Sequence, residues 1–432
     1  MNKNIEISAA KKSPSPRISS SKRLDGKLAK LSSELFPNPP EGTYSSPEVT
    51  LANISHLFRN YGITARYNLI KKKPEFLVEN LSVLADNSDN AIFSYIKSLA
   101  NLNGMRSSDV LRFAETVCSA NPFNSVAIWI ESRPWDRVDR LPQIYDTLTT
   151  DADFPTALKE AIMRRWLLSA VAAACMTEGF RARGLLTLQG KQGLGKTQWF
   201  ARLASEMHSN TPVVLLGQHL DIANKDDVLT SIQHWIVELG ELDSTFKKDI
   251  AGLKAFITKD CDQVRKPYDR TDSVFPRRTV YGGSVNSPYF LVDPTGNSRF
   301  WTLPVVAIDY EHKVDMQQVF AQLHVEFAKG EQWWLTPEEE ALLNEQNSFH
   351  LATNPTQELV RSAIDVNRVG ADDLPAFGAR ELLVALGIKE PGNPQARDCG
   401  EVLRELLGKP KRIQGYDKWR VPLMKQEDVT RV

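Results

Sequence analysis

The chain has 432 residues, 42% of them hydrophobic, enough for about three packed domains at roughly 150 residues each. Its 53 Lys and Arg balance 53 Asp and Glu, so no global field draws it to nucleic acid, membrane or an acidic ligand. The longest apolar run, Trp166 to Met176, is far short of the roughly 20 residues of a membrane span, and the amino terminus is charged; no membrane partner and a cytoplasmic location are expected.

Residues 1–48, with Lys11, Lys12, Ser13 to Pro16 and Ser19 to Ser21, are polar and basic, and are expected to form a flexible tail. Residues 49–145 predict a mainly helical domain. Leu51, Ile54, Leu57 and Phe58 recur at helical spacing, as do Ile92, Tyr95, Ile96 and Leu99, with one short hairpin near Ala65 to Leu77. The stretch Val126 to Leu141 is expected to be a packed connector in which Trp129 and Trp135 anchor the core. Cys118, Cys175, Cys261 and Cys399 form no close pair, which points to a reducing compartment, to cysteines used as small apolar packing residues, and to no zinc.

Residues 146–350 carry the chemistry. After a helix from about Ala157 to Thr177, β-rich runs alternate with helical ones at Leu185 to Gln189, Val213 to Leu216, Trp235 to Leu239, Thr279 to Val285 and Phe300 to Val306. That alternation predicts an α/β fold with a mainly parallel sheet covered on both faces. Gly190-Lys191-Gln192-Gly193-Leu194-Gly195-Lys196-Thr197 matches GxxxxGK[ST] between the first strand and a helix from Gln198 to Met207. Gly190, Gly193 and Gly195 let backbone N–H groups curl round a phosphate, with Gln192 and Gln198 flanking them. Lys196 would neutralise phosphate charge, and Thr197 would help hold Mg²⁺, which makes ATP with Mg²⁺ the expected cofactor pair.

The next strand ends in Glu238-Leu239-Gly240-Glu241-Leu242-Asp243. Glu238 is assigned to Mg²⁺ and Glu241 to water activation, with the exchanged assignment open, and Asp243 is a candidate cap for a helix over Phe246 to Ile257. The strand Thr279 to Val285 ends in Asn286, which would sit beside the γ-phosphate if that strand neighbours the one carrying Glu238. Between them, Arg265 to Arg278 holds five basic residues (Arg265, Lys266, Arg270, Arg277, Arg278) against two acidic ones, with Tyr268 and Phe275 interleaved. Such a basic, aromatic loop suits a nucleic-acid backbone. Arg299 precedes the last strand, where its guanidinium is either a transition-state finger for another subunit or a structural ion pair.

Residues 351–432 are expected to be a linker and a winged-helix unit: helices around Arg380 to Leu386 and Ala396 to Leu407, then strands over Ile413 to Val421 turning at Gly415. Lys409, Lys411, Arg412, Lys418 and Arg420 against Asp417, with Tyr416 and Trp419, favour contact with a DNA backbone, duplex included.

From about Val126 to Asn347 the motifs together resemble the virulence-associated protein E family, helicase-like ATPases of phages, phage satellites and other mobile elements. The family is similar to the superfamily 3 helicases of the AAA+ class. Besides the segments above, the resemblance rests on Trp135-Asp136, Leu253 to Thr258 with Asp260, Thr295 to Trp301 and Gly330 to Leu335. It implies an AAA+ P-loop core and a homo-hexameric ring in a bacterial host, with ATP at each subunit interface and a single DNA strand in the channel. It further implies Asn286 as sensor, Arg299 as trans-acting finger with Arg265 and Arg270 as alternatives, and Lys254 with the basic loop near DNA. Relatives often carry an amino-terminal primase, but no acidic or metal-binding primase constellation precedes Val126, so priming is expected from separate replication proteins. Glu238 also departs from the more common aspartate.

Two other classes remain open on the residues alone: an ATP-gated DNA-binding switch that does not translocate, and a small-molecule phosphotransferase.

Overall fold

The computed structural model describes residues 28–41, 46–78, 81, 87–106, 108–207, 212–240, 242–265, 271–292, 297–351, 355–371, 373–413 and 415–424. Its buried apolar side chains form three clusters in chain order.

The first cluster is built by α1 (Leu51–Asn60), β1 (Ile63–Asn68), β2 (Lys73–Val78), α2 (Ser88–Leu102), α3 (Val110–Ser119) and β3 (Pro122–Phe123). Thr50 starts α1 by accepting the Asn53 amide at 3.2 Å, and the 3.6-residue spacing then buries Ile54, Leu57 and Phe58 against Ile96, Leu99 and Ala114. The expected hairpin is β1 and β2, with Ile63 opposite Val78. Part of the segment expected to be a flexible tail, residues 28–41, packs on this cluster. Phe36 is 3% exposed within this cluster, the Leu31 amide donates to Asn103 Oδ1 at 2.9 Å, and the buried Asn53 holds Asn38 through 2.9 and 2.8 Å bonds. One phenylalanine and two polar clamps offset the ordering cost of a segment that composition alone marks as unstructured. Residues 1–27 and 42–45 lie outside the described residues.

The turn between β1 and β2 joins this unit to the next. Asn68 Oδ1 accepts the amides of Ile70 and Lys71, both at 3.0 Å, Ile70 enters the central core, and Lys72 Nζ donates to Pro276 O at 3.2 Å. Burial, with Lys73 beside it, pushes Lys71 down to about 8, and burial with Lys71 nearby pushes His234 down to about 4. His234 is therefore neutral in the folded protein, its Nδ1–H donating to Thr230 O at 2.8 Å. The unfolded chain binds a proton there below about pH 6.5, so this contribution is complete at pH 7 and is lost as pH falls from about 6.5 towards 4. We expect the wild type to lose about 3 kcal/mol across that window from this residue, and His234→Gln to show a visibly shallower acid limb in urea melts at pH 7 and pH 5. Identical slopes would remove His234 as the cause.

The second cluster surrounds α4 (Ser125–Ile130), α5 (Leu141–Tyr145), β4 (Leu148–Thr150), α6 (Thr156–Cys175), β5 (Leu185–Gln189), α7 (Lys196–Arg202), β6 (Val214–Gln218), α8 (Lys225–Ile232), β7 (Ile236–Leu239), α9 (Leu242–Ile257), β8 (Cys261–Val264), β9 (Ser273–Pro276), β10 (Val280–Val285), β11 (Phe300–Ile308), α10 (Met316–Ala328) and α11 (Pro337–Ser348). The fold is mixed α/β, as expected. Six strands form one sheet in the order β4-β11-β5-β10-β7-β6, parallel throughout except for β4, which runs antiparallel on β11. Continuous burial along β5 and β7, without alternation, shows both faces covered. Trp166 of α6 and Trp235 at the start of β7 bind across one of these layers, their indole N–H groups donating to Tyr281 O and Ala170 O, each at 2.8 Å.

Three local expectations are corrected. Helix α9 begins at Leu242, so Asp243, expected ahead of the helix, lies within its first turn. Trp135 is only half-buried, in a loop strapped to α10 by Gln317, Gln318 and Gln322 rather than anchored in the core, whereas Trp129 does pack against Trp235 and Phe320. Cys261 is exposed on the outer face of β8, unlike the buried Cys118 and Cys399.

The third cluster gathers Leu382, Leu383, Val402, Leu403 and Trp419 from α12 (Pro355–Ala363), β12 (Ala376–Phe377), α13 (Ala379–Ala385), α14 (Asn393–Leu407), β13 (Lys411–Ile413) and β14 (Tyr416–Arg420). The three strands pair in the order β12-β14-β13, with the turn at Gly415 in a left-handed conformation at φ 82°. Among the described residues no helix is long and apolar enough to cross a membrane.

Candidate functional site

Strand order decides what can meet. β10 lies between β5 and β7, with Gly282 opposite both Leu186 and Glu238, so the ends of these three strands bring the glycine-rich loop, Glu238 and Asn286 to one sheet edge. Gly190 takes no side chain because a Cβ would run into Val305 O. Gly195 takes none because a Cβ would run into the Tyr310 ring, and its φ of 88° is left-handed besides. Gly193 needs its hydrogen side chain for conformation alone, with φ 87° and open space around it.

Helix α7 starts at Lys196, which is 6% exposed. Its Nζ donates to Gly190 O at 2.7 Å, Lys191 O at 2.9 Å and Asn286 Oδ1 at 2.9 Å, so the ammonium is held over the loop by three oxygens. Thr197 Oγ donates to Glu238 Oε1 at 3.3 Å, and the other carboxylate oxygen accepts the Gly217 amide at 2.6 Å. Glu238 is wholly buried. Gly217 stands at an irregularity in β6 with φ 63°, which turns its N–H towards the carboxylate; sequence reading missed this partner. Gln192 is exposed within the loop and Gln198 directly after it. Glu241 lies outside the described residues.

Two further glycines set how close the flanking helices come. A Cβ on Gly282 would strike Phe200 of α7, and one on Gly283 would strike Leu242 of α9. Successive strand residues face opposite sides of the sheet, so this pair seats the helix bearing Lys196 on one face and the helix following Glu238 on the other. A glycine pair inside an otherwise β-rich run was the signal available in sequence.

The residues expected to meet DNA separate into groups. Lys266, Tyr268 and Arg270 lie outside the described residues, and Arg265 is exposed at the end of β8. Arg277 is not available to a ligand. It is fully buried, with Nε and Nη2 donating to Asp262 at 2.7 and 2.5 Å, Nη1 donating to Phe256 O at 3.0 Å, and its guanidinium 4.4 Å from the Phe256 ring. Arg278 is also corrected: Nη1 donates to Ala174 O at 3.0 Å and Met176 O at 2.7 Å, closing the end of α6, and burial lowers its pKa. Lys254 is 8% exposed, its Nζ 5.9 Å from the Phe300 ring, so it faces the interior too. Arg277 thus closes the root of the β8–β9 hairpin, Arg278 closes the end of α6, and Lys254 lies beside Phe300.

Arg299 sits away from the loop. Phe300 pairs with Leu185 at the start of β5, whereas the loop follows Gln189, which pairs with Pro304. Six residue steps place Arg299 about 20 Å from Gly190 along the strand direction, at the opposite sheet edge. There it lines a cavity of about 370 Å³ with Arg183, Thr258, Trp301, Trp334 and Glu340. It cannot touch a phosphate held by its own loop. Near the carboxy terminus, Lys411, Arg412 and Arg420 are exposed, while Lys418 pairs with Glu381 at 2.9 Å and Trp419, 7% exposed, is core rather than surface.

Two apo structures of the NrS-1 C terminal region are similar to the chain: one at 12% identity over 86% of this chain and 98% of that one, TM-score 0.42, and an A form at 14% over 85% and 98%, TM-score 0.40. No curated protein matches in sequence. The model of the virulence-associated protein E-like domain matches residues 130–352, from the end of α4 to just beyond α11. That span is more than half of the chain and contains the whole six-stranded sheet, and the chain belongs to the virulence-associated protein E-like family.

Proposed function

We propose that this chain is an ATP-dependent DNA helicase, a ring-forming AAA+ P-loop ATPase of superfamily 3 type that serves the replication of a phage, phage satellite or related mobile element. The observation that carries the reading is the joint placement of Lys196 on the loop carbonyls and Asn286, with Thr197 touching Glu238. A triphosphate entering the loop would exchange the carbonyl contacts of Lys196 for its own oxygens, leaving Asn286 to orient the ammonium or sense the γ-phosphate. Thr197 Oγ and Glu238 Oε1 are hard oxygen donors side by side, which fits Mg²⁺. When bound, the ion would neutralise charge on the β- and γ-phosphates. Glu241, or Glu238 in the exchanged assignment, would activate water.

Arg299, too far from its own loop, is suited to a neighbouring subunit's nucleotide in a homo-hexamer. The β8–β9 hairpin, through Arg265, Lys266, Tyr268 and Arg270, would grip a single strand. The carboxy-terminal unit, with the helix-helix-hairpin order of a winged helix, would meet duplex through Lys411, Arg412 and Arg420, and priming would come from a separate protein.

One observation favours a second reading. Of the residues expected to meet DNA, Lys254, Arg277 and Arg278 are buried while Arg265, Lys411, Arg412 and Arg420 are exposed, so most of the described exposed members lie on the carboxy-terminal strands, as an ATP-gated DNA-binding switch would have it.

The deciding measurement is steady-state ATP hydrolysis with and without single-stranded DNA, paired with strand displacement on a forked duplex and mass in solution with a non-hydrolysable nucleotide. Hydrolysis stimulated by DNA, a ring-sized species and displacement are the expected results. Nucleotide-dependent DNA binding without displacement selects the switch, and hydrolysis by a small species indifferent to DNA overturns both.

A further inference from the structure

The loop and Glu238 account for phosphate and metal but leave the rest of a nucleotide without a site. β11 runs beside β5 and outlasts it: Pro304 already faces Gln189, so the residues through Ile308 carry the chain past the loop and bring Asp309 and Tyr310 over it. The Asp309 amide donates to Thr147 O at 2.9 Å, and the Trp199 indole N–H of α7 donates to Thr147 Oγ at 2.8 Å, so one threonine ties the Tyr310 segment to the helix that begins with Lys196. The ring of Tyr310 lies against Gly195, in the space a Cβ would occupy, yet the residue remains 39% exposed. An aromatic used only to cover a glycine would be buried; this ring covers it and keeps open surface beside the phosphate loop.

We propose that Tyr310 is the stacking platform for the nucleobase of the bound triphosphate. The proposal rests on the phosphate-loop reading above and adds the part of the ligand that reading leaves unassigned. With the phosphates over Gly195 to Thr197, the nucleoside leaves the α-phosphate next to the ring. A π-face packed on Gly195, on a segment tied to α7 through Thr147, costs little ordering on binding, and stacking holds any purine.

The test compares binding of Mg·ATP and of Mg·tripolyphosphate, which has the charge but no base, by titration calorimetry in wild type, Tyr310→Phe, Tyr310→Leu and Tyr310→Ala. Leucine keeps apolar cover over Gly195 without a π-face, which guards against a simple folding defect in the alanine variant. Expected results are ATP binding more tightly than tripolyphosphate in wild type, phenylalanine within about twofold of wild type, and leucine and alanine weaker for ATP by about 5- to 100-fold with tripolyphosphate unchanged. Equal wild-type affinity for the two ligands, unchanged ATP binding in Tyr310→Leu, or parallel loss of both ligands would overturn the platform while leaving the phosphate loop standing. A wild type that binds neither ligand sinks the phosphate-loop reading itself, and this site with it.

Discussion

Lys196→Ala should abolish measurable nucleotide binding, and Glu238→Gln should retain binding while lowering the hydrolysis rate about 10²–10³-fold, the usual cost of removing one charged stabiliser from a preorganised site. The two differ because of what each side chain touches. Lys196 is the cation over the loop, so without it a triphosphate meets carbonyl oxygens of Gly190 and Lys191 with nothing to offset them. Glu238 is wholly buried between Thr197 and the Gly217 amide, and glutamine fills the same volume but removes the charge that the proposed Mg²⁺ would need. Its amide could also turn an N–H towards Gly217, so a thermal melt belongs beside the kinetics. Glu241→Gln in the same assay separates the two carboxylate roles: a comparable loss with metal dependence intact makes Glu241 the water-activating group. Hydrolysis within twofold of wild type in Lys196→Ala would place the reaction elsewhere.

The second large effect is on stability. Arg277→Ala should cost about 3–5 kcal/mol, because it strands a carboxylate, Asp262, that is 3% exposed and whose hydrogen-bonded counter-ion is gone. Replacing both members, as Arg277→Met with Asp262→Leu, should recover most of that loss, since a buried pair exchanged for apolar groups of similar volume is often neutral. Denaturant melts of the two single variants and the double variant measure this as a coupling energy. The double variant also checks the corrected role: if Arg277 only braces the hairpin root, single-strand affinity should stay within about twofold of wild type. A double variant that is stable yet has lost DNA binding would restore Arg277 to the interface.

Both effects show what could be read before folding and what could not. Loop residues 190–197 were legible because phosphate binding needs glycines, a lysine and a hydroxyl within one short turn, a local demand that leaves a local pattern. The parallel sheet was legible for a related reason: a strand buried on both faces must be apolar throughout, and Leu185 to Gln189 and Ile236 to Leu239 are nearly so. Strand ends were found to within a residue or two, the helix after the loop less well, since α7 stops at Arg202 rather than reaching Met207.

The basic run 265–278 misled for the opposite reason. Charge is visible in sequence, but whether it faces solvent depends on a partner elsewhere in the chain: Asp262 for Arg277 and the end of α6 for Arg278, as Phe300 does for Lys254 ahead of that run. Phe36 and Asn53 were likewise not legible as anchors of the segment expected to be a tail, because the partners that hold it, Asn103 and the α1 residues, lie elsewhere in the chain.

By itself, then, the sequence determined the glycine, lysine and threonine pattern of the loop, the alternation of strands and helices, and the family resemblance, each carried by short local stretches of chain. Only the tertiary structure decided that β10 inserts between β5 and β7, which brings Asn286 to Lys196 and Glu238 to Thr197. It alone put Gly217 on Glu238, Tyr310 on Gly195 and Arg299 at the far edge of the sheet. Strand order and register are properties of long-range pairing, whose energy comes from burial and hydrogen bonds between segments tens of residues apart, and no short window of sequence contains that information.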